Sequence, residues 1–215
     1  MKTFKFYFDF LSPFSYLAFQ KLKKKELNFT LHPVTLGSLL NHWEIKGPGE
    51  ITPKREFLLK QCYRMAALEG ITFTTPKTHP FNPLYALRMS LKTASGDDQC
   101  KVIDAFWQAA WQKGKDLGDP DECLRVLNDV GLDAQKIYDL SFTKESRAEF
   151  KANISEAISY GAFGVPSFVV GDELFWGQDS LKYLELYLKG EDPLDRDIFQ
   201  QAIDHTPRAA AQKIN

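Results

Sequence analysis

The segment from Phe4 to Gln20 changes its hydrophobic period in the middle, and this change constrains the fold more than any other feature of the chain. Phenylalanine recurs at every second position from Phe4 to Phe10, which predicts a β-strand with one strongly apolar face. Ser12 and Pro13 follow as an N-cap hydroxyl and a first-turn proline, so a helix is expected to begin there. Such a joint presents unpaired first-turn N–H groups beyond the strand end, where they stabilise negative charge.

The four residues Ser12-Pro13-Phe14-Ser15 admit two interpretations. Ser-Pro is an ordinary way to start a helix, and capping alone explains both residues. In thioredoxin-fold disulfide oxidoreductases the same position carries Cys-x-x-Cys, whose first thiolate is stabilised by the helix N-terminus. With hydroxyls in place of both sulfurs, this segment cannot form a disulfide. A serine hydroxyl can, however, donate a hydrogen bond to the thiolate of a bound thiol such as glutathione and lower its pKa.

The rest of the chain divides into a helical middle and an α/β end. A second strand over Leu27 to Leu36 completes a βαβ unit, after which no strand is indicated until Gly161. The helices between them are predicted to open at Thr52-Pro53, Asn82-Pro83 and Asp119-Pro120, at Asp98, and, as shorter helices, at Asp133 and Thr143. The first of these carries Phe57, Leu58, Cys62, Met65 and Ala66 on one side, and the second ends before Gly96.

The chain returns to α/β character after Gly161. Phe168 to Val170 and Glu173 to Trp176 read as the two strands of a hairpin, and Asp179 is expected to cap a final amphipathic helix. Pro166 directly precedes a strand, and we predict that its peptide bond is cis, which would turn the backbone of Val165 towards Ser12. An extended peptide could then pair with Val165 as a short additional strand.

These elements predict an α/β protein with a thioredoxin fold and a large all-helical insertion. The expected divisions are a discontinuous thioredoxin-like domain over 1–36 and 162–190, a helical insertion over 37–161, and a C-terminal helix and tail over 191–215. The buried spacing of Trp107 and Trp111 favours a core position over a pocket.

The charge balance limits the classes of partner that the protein is expected to bind, and the cysteine usage indicates the redox state of its compartment. Lys and Arg number 27 against 28 Asp and Glu, so no overall field favours nucleic acid or an anionic membrane. Three separate cysteines suit a reducing compartment, the start lacks an uninterrupted apolar signal region, and no run of apolar residues is long enough to span a bilayer. We therefore expect a cytoplasmic protein without nucleic-acid or membrane partners. The four histidines lack metal-ligand spacing, so no metal is assigned.

Two long motifs carry a resemblance to a known family. The N-terminal FDFLSPFSYLA and the C-terminal GAFGVPSFVVGDELFWGQDSL resemble 2-hydroxychromene-2-carboxylate isomerases and their kappa-class glutathione transferase relatives, within the DsbA-like thioredoxin-fold superfamily. Weaker matches at Lys54, Arg64, His79 to Asn82, Asp119-Pro120 and Asn153 extend the likeness from about residue 4 to 188.

The resemblance implies glutathione as cofactor and a homodimer. It implies that Ser12 activates the glutathione thiol and that Val165, before cis-Pro166, pairs with the cysteinyl backbone. Asp179 and Ser180 would receive the γ-glutamyl group, and a helix N-terminus beside a carboxylate suits that group on chemical grounds as well.

The resemblance also suggests three further ligand contacts. Trp176 is either an apolar wall of the site or a core residue. Lys54 and Asn82 are candidate substrate contacts, although an exposed lysine near a helix start is also an ordinary feature. The chain departs from the family at Ser180, where an arginine is frequent, and at Lys46 to Glu50, where kappa-class members carry Gly-Asn-x-Pro-Pro.

The function implied is a glutathione-dependent isomerase that acts on a small aromatic 2-oxo acid. The glutathione thiolate would add to a conjugated double bond, the adduct would rotate about the resulting single bond, and elimination would regenerate the thiolate. Two alternatives stay open: a kappa-like glutathione S-transferase, which consumes glutathione, and a non-catalytic glutathione- or peptide-binding module.

Overall fold

The computed structural model describes residues 2–205. Its four strands form one mixed sheet in the order β2-β1-β3-β4, with β1 parallel to β2 and antiparallel to β3, and with β4 antiparallel to β3. The strands are β1 Phe4–Phe8, β2 Phe29–Pro33, β3 Ser167–Val170 and β4 Glu173–Trp176. The helices are α1 Pro13–Leu22, α2 Leu36–His42, α3 Thr52–Leu68, α4 Leu84–Met89, α5 Lys92–Ser95, α6 Gln99–Trp111, α7 Pro120–Asp129, α8 Ala134–Leu140, α9 Lys144–Ser159, α10 Leu181–Lys189 and α11 Arg196–His205. Short 3₁₀ turns cover Pro48–Glu50, Gly96–Asp98 and Gln178–Ser180.

The predicted thioredoxin fold is confirmed by this sheet and by the placement of α1 directly after β1. All four strands come from the two segments expected to form the thioredoxin-like part, and the described residues between β2 and β3 form only helices and turns. The expected C-terminal helix is α11, whereas the tail predicted over 206–215 lies outside the described residues.

Both faces of β1 are covered, which differs from the single apolar face expected from its sequence. Phe6 and Phe8 enter a core that extends into the helical insertion, where the ring of Phe8 lies 5.7 Å from that of Trp107. On the opposite face Tyr7 is also fully buried, and its hydroxyl donates to Glu156 of α9 at 2.8 Å. The alternating sequence pattern of β1 predicted burial of only one face. The second face is buried as well, because α9 packs both apolar and acidic side chains against it.

Several helix predictions required correction. α3 begins at Thr52, as predicted, although its N-cap is Ile51 and no side chain caps it. Of the apolar residues expected on one side of this helix, Phe57 is 56% exposed. The single helix expected from Asn82 to Gly96 is two helices, α4 and α5, which are separated at Leu91 by extended backbone. The carboxylate of Glu149, from α9, accepts the first N–H groups of α5, and this long-range cap accounts for the break.

The helical insertion packs tightly against the thioredoxin-like half. Trp107 and Trp111 of α6 are fully buried, as predicted, and the ring of Trp107 lies 4.7 Å from that of Phe10, just beyond β1. The Trp111 indole donates to the Phe10 carbonyl at 2.8 Å. These contacts anchor the insertion directly beside the connection between β1 and α1, which contains Ser12. None of the described helices is long and apolar enough to cross a bilayer.

Candidate active site

Ser12 is the N-cap of α1 and is only 5% exposed. Its Oγ accepts the N–H of Ser15 at 3.1 Å and donates its proton to the carbonyl of Val165 at 3.3 Å. The first bond is the ordinary helix cap, and the second crosses to the far end of the chain. At 3.3 Å this second bond is long for an O–H donor, so the proton is only weakly held and can be redirected to a better acceptor.

Val165 and Pro166 meet Ser12 across the joint. The peptide bond between them is cis, as predicted, and both residues are buried at the start of β3. The carbonyl of Pro166 accepts the N–H of Gly177 at 2.9 Å, which brings the Gln178–Ser180 turn next to this loop. The predicted residues of the thioredoxin-like half thus form one continuous set of contacts from Ser12 to Ser180.

Asp179 does not cap α10, so the prediction that it caps this helix was wrong. It lies inside the 3₁₀ turn, and α10 begins at Leu181 after Ser180, with no side-chain cap. The Ser180 hydroxyl donates instead to the carbonyl of Trp176. Gly177 adopts φ +90°, and a Cβ there would lie 2.6 Å from Oδ1 of Asp179, so only glycine allows this turn. The Asp179 side chain is exposed and forms no ion pair within residues 2–205.

Trp176 is a surface residue, so the core alternative for it was wrong. It is 50% exposed, and its ring lies 4.8 Å from that of Phe163 on the loop before Val165. Trp43, at the end of α2, is also exposed and donates its indole N–H to the carbonyl of Ala162 on the same loop at 3.0 Å. We call Trp43, Phe163 and Trp176 the aromatic rim, because all three contact or belong to the loop that presents Val165.

Lys54 and Asn82 belong to the helical insertion. Lys54 lies on the first turn of α3 and is exposed. Its side chain makes no hydrogen bond or ion pair with the described part of the chain. The side-chain oxygen Oδ1 of Asn82 accepts the N–H of Leu84 at 3.1 Å. The side-chain N–H groups of Asn82 donate to no atom of residues 2–205. Both side chains therefore keep hydrogen-bond donors free for a ligand.

Asp9 is a buried carboxylate at the joint that the sequence analysis did not select. It is fully buried, and its two oxygens accept the N–H of Leu11 at 3.0 Å and the N–H of Leu36, at the start of α2, at 2.7 Å. Burial raises the pKa of Asp9 to about 6, against the opposing effect of those two N–H groups. The available signal was an acidic residue at the end of a strand of buried phenylalanines.

His79 is the second residue that was not selected for the site. Its Nε2 lies 3.0 Å from the carbonyl of Leu11, the residue before Ser12. Its ring packs nearly edge-on against Trp111 at 5.4 Å, and its own carbonyl accepts from Arg55 at 3.0 Å. Sequence gave no signal for this contact beyond the weak family match at His79 to Asn82.

The described residues include no group of three or more His, Cys, Asp or Glu side chains placed to hold a metal.

A cavity of about 690 Å³ lies away from Ser12, where Lys2, Glu173, Tyr187 and Arg196 are among its lining residues. It contains none of the predicted site residues, so the candidate site is the surface around Ser12 rather than this cavity.

The fold and this site define a protein class. The chain belongs to the DSBA-like thioredoxin domain family, whose model matches residues 3–189. The joint differs from that of a disulfide oxidoreductase in having serine at both 12 and 15.

Individual relatives show which proteins of this family the chain is similar to. The chain is 31% identical over 194 residues to the 2-hydroxychromene-2-carboxylate isomerase of Sphingobium xenophagum, covering 87% of this chain and 98% of the relative. It is 22% identical over 203 residues to glutathione S-transferase kappa 1 of Rattus norvegicus, covering 86% and 89% of the two chains. The predicted family is thereby confirmed, and with it the expectation of an enzyme related to this isomerase.

A solved structure supports the fold independently. A 2-hydroxychromene-2-carboxylate isomerase superposes with a TM-score of 0.78 at 23% identity, covering 95% of this chain and all of the other. At that identity the match establishes the fold alone.

Proposed function

We propose that the chain is a glutathione-dependent 2-hydroxychromene-2-carboxylate isomerase, which interconverts 2-hydroxychromene-2-carboxylate and trans-o-hydroxybenzylidenepyruvate. The observation that carries this proposal is the Ser12 hydroxyl, which lies at the N-terminus of α1 with a weakly held proton and with no cysteine at 12 or 15. Such a hydroxyl, aided by the helix dipole, suits a thiolate that arrives with a cofactor.

Glutathione would lie along the loop that carries Val165. Its cysteinyl N–H and C=O would pair with the backbone of Val165, in the manner of an added strand. Its γ-glutamyl carboxylate would approach the first-turn N–H groups of α10, and its ammonium group would approach the free carboxylate of Asp179. Ser180 shapes this turn through its bond to Trp176. The aromatic rim would shield one side of the tripeptide from water.

The Ser12–Val165 bond suggests how the hydroxyl is made available. In the structure, the Val165 carbonyl accepts the Ser12 proton. The cysteinyl N–H of glutathione would bind the same carbonyl, which has a second lone pair for it. Because the Ser12–Val165 bond is long and a thiolate is a charged acceptor, the hydroxyl would turn its proton to the thiolate sulfur.

The chemical step is balanced without any other reactant. The thiolate sulfur forms a bond to the conjugated carbon of the 2-oxo acid, and the double-bond electrons move to the carbonyl as an enolate. The new single bond rotates, the enolate re-forms the double bond in the cis geometry, and the C–S bond breaks to release the thiolate. In the cis isomer the phenol oxygen then adds to the 2-oxo carbon and its proton passes to the former carbonyl oxygen, which closes the hemiketal ring of 2-hydroxychromene-2-carboxylate; ring opening reverses this step. Lys54 would bind the substrate carboxylate, and the Asn82 amide would donate to a substrate oxygen.

Calorimetric titration with reduced glutathione tests the cofactor, and a rate assay tests the reaction. We expect binding of the reduced form, and isomerisation of trans-o-hydroxybenzylidenepyruvate only when glutathione is present. A rate that is independent of glutathione, or no binding at millimolar concentrations, would refute the proposal.

The similarity to kappa-class enzymes makes a glutathione transferase the second candidate. The two functions differ in stoichiometry, because a transferase consumes one glutathione for each product and an isomerase regenerates it. Free thiol measured after many turnovers decides between them. The expected homodimer and cytoplasmic location stay predictions.

A further inference from the structure

The peptide unit before Ser12 is held at both ends. The carbonyl of Leu11 accepts from Nε2 of His79 at 3.0 Å, and the N–H of Ser12 donates to the carbonyl of Asp9 at 3.0 Å. The N–H on the other side of Leu11 donates to the Asp9 carboxylate at 3.0 Å. The orientation of Ser12 is therefore fixed by bonds outside its own helix. The bond from His79 is the only one of the three that the helical insertion supplies.

His79 has a defined protonation state in this arrangement. Because the Leu11 carbonyl can only accept, Nε2 carries the hydrogen. Nδ1 is buried and has no hydrogen-bond partner among the described residues, which suits a bare lone pair better than an N–H group. Burial lowers the pKa of His79, against the opposing effect of its bond to the Leu11 carbonyl, and the Arg55 guanidinium adds a smaller lowering, which favours the neutral ring.

The position of His79 is itself set by the insertion. Arg55 of α3 donates to its carbonyl at 3.0 Å, and the Trp111 ring packs against the imidazole at 5.4 Å. Trp111 also donates to the carbonyl of Phe10, the residue before Leu11. Two consecutive carbonyls ahead of Ser12 are thus held by ring N–H donors from the helical insertion.

We propose that His79 is a positioning residue for thiol activation: its Nε2–H holds the Leu11–Ser12 peptide so that the Ser12 hydroxyl faces the glutathione thiolate. This inference rests on the proposed function, and it adds a residue that does not touch the ligand. Without the donor, the Leu11 carbonyl lacks a partner and the peptide plane can rotate. The hydroxyl then moves away from the thiolate, and small displacements at this distance strongly weaken its stabilisation.

The test compares His79→Gln with His79→Met. The two side chains have similar length and shape, but only glutamine carries an N–H donor near the position of Nε2. The pKa of enzyme-bound glutathione is read from the ultraviolet absorbance of its thiolate as pH is raised. In His79→Met we expect a raised thiol pKa and a fall in kcat at neutral pH of about tenfold or more. In His79→Gln both values should return most of the way to those of the wild type.

The outcomes separate this role from the proposed function. If the wild type binds no glutathione, the proposed function fails and this role of His79 fails with it. If the wild type binds and the Met and Gln variants share the wild-type thiol pKa, the role of His79 alone is refuted. If the two variants lose activity equally while their melting temperatures fall equally, His79 acts only in stability and the proposal is also refuted.

One measurement on the wild type covers the case in which His79→Met does not fold. The ¹⁵N chemical shifts of the His79 ring report which nitrogen carries the hydrogen. We expect the neutral form with the hydrogen on Nε2 at neutral pH. A hydrogen on Nδ1, or a doubly protonated ring at neutral pH, would remove the donor geometry on which the proposal depends.

Discussion

The indole nitrogen of Trp176 lies against Gly164, where a Cβ would come within 2.7 Å of Nε1. This contact places one member of the aromatic rim directly over the backbone that leads to Val165. A contact shorter than 3 Å cannot be accommodated unless the indole moves, because Gly164 is itself buried.

We therefore predict that Gly164→Ala displaces Trp176 and weakens glutathione binding several-fold, about 1 kcal/mol. Gly37→Ala is the matched control, since no atom lies within 4 Å of a Cβ at Gly37 and its backbone is helical. Calorimetric titration measures both affinities. Adding Trp176→Phe to Gly164→Ala removes the clashing nitrogen and should recover part of the loss, and unchanged binding in Gly164→Ala would contradict the assigned contact.

Ser12 has two separable roles, as helix cap and as thiol partner. Loss of the cap in Ser12→Ala should lower the free energy of unfolding by about 1 kcal/mol. Thr143→Ala removes an equivalent cap from α9, where the hydroxyl accepts the N–H of Ser146 at 3.2 Å. We expect similar losses of stability by urea unfolding, but a large fall in kcat only for Ser12→Ala. Equal activities in the two variants would leave Ser12 as a cap alone.

The buried carboxylate of Asp9 should make stability depend on pH. Its pKa rises from 3.8 in an exposed chain to about 6 in the fold, so the folded state binds this proton more tightly than the unfolded state. The resulting stabilisation is fully present below about pH 4 and is lost as pH rises through about 6, by up to about 3 kcal/mol. Asp9→Asn cannot titrate and should lack this component.

The measurement for Asp9 is urea unfolding of both proteins from acidic to neutral pH. The other carboxylates titrate in both, so the difference between the two curves isolates Asp9. The asparagine variant will be less stable overall, because its amide N–H₂ group must face an N–H of Leu11 or Leu36. Parallel curves would mean that the two N–H donors hold the pKa of Asp9 near its ordinary value.

Features encoded by neighbouring residues were predictable. The β1–α1 joint, the Ser12 cap and the β3–β4 hairpin follow from period changes and turn residues within short windows. Pro166 could be predicted as cis because it is a proline that directly precedes a strand. These local signals were sufficient to identify the fold and the position of Ser12.

Features that depend on distant partners were not predictable. His79 reaches Leu11 across 68 positions, and Glu149 caps α5 across 57, so no local pattern reports either contact. The error at Asp179 has the same kind of cause. An acidic residue before an amphipathic run usually caps a helix, but here Gly177 and the bond to Pro166 direct the chain into a 3₁₀ turn.

Lys54 provides a test of substrate binding that is independent of glutathione. Lys54 and Lys60 both lie exposed on α3 without ion pairs in the described part of the chain, so their replacement by methionine removes the same charge at comparable structural cost. If Lys54 binds the substrate carboxylate, Lys54→Met should raise KM for the 2-oxo acid by about tenfold or more, the cost of one hydrogen bond to a charged group. Glutathione affinity should not change, and Lys60→Met should behave as the wild type in both assays. Equal KM values in the two variants would remove Lys54 from substrate binding, and Asn82, whose amide N–H groups have no partner in the described part of the chain, would be the next residue to replace.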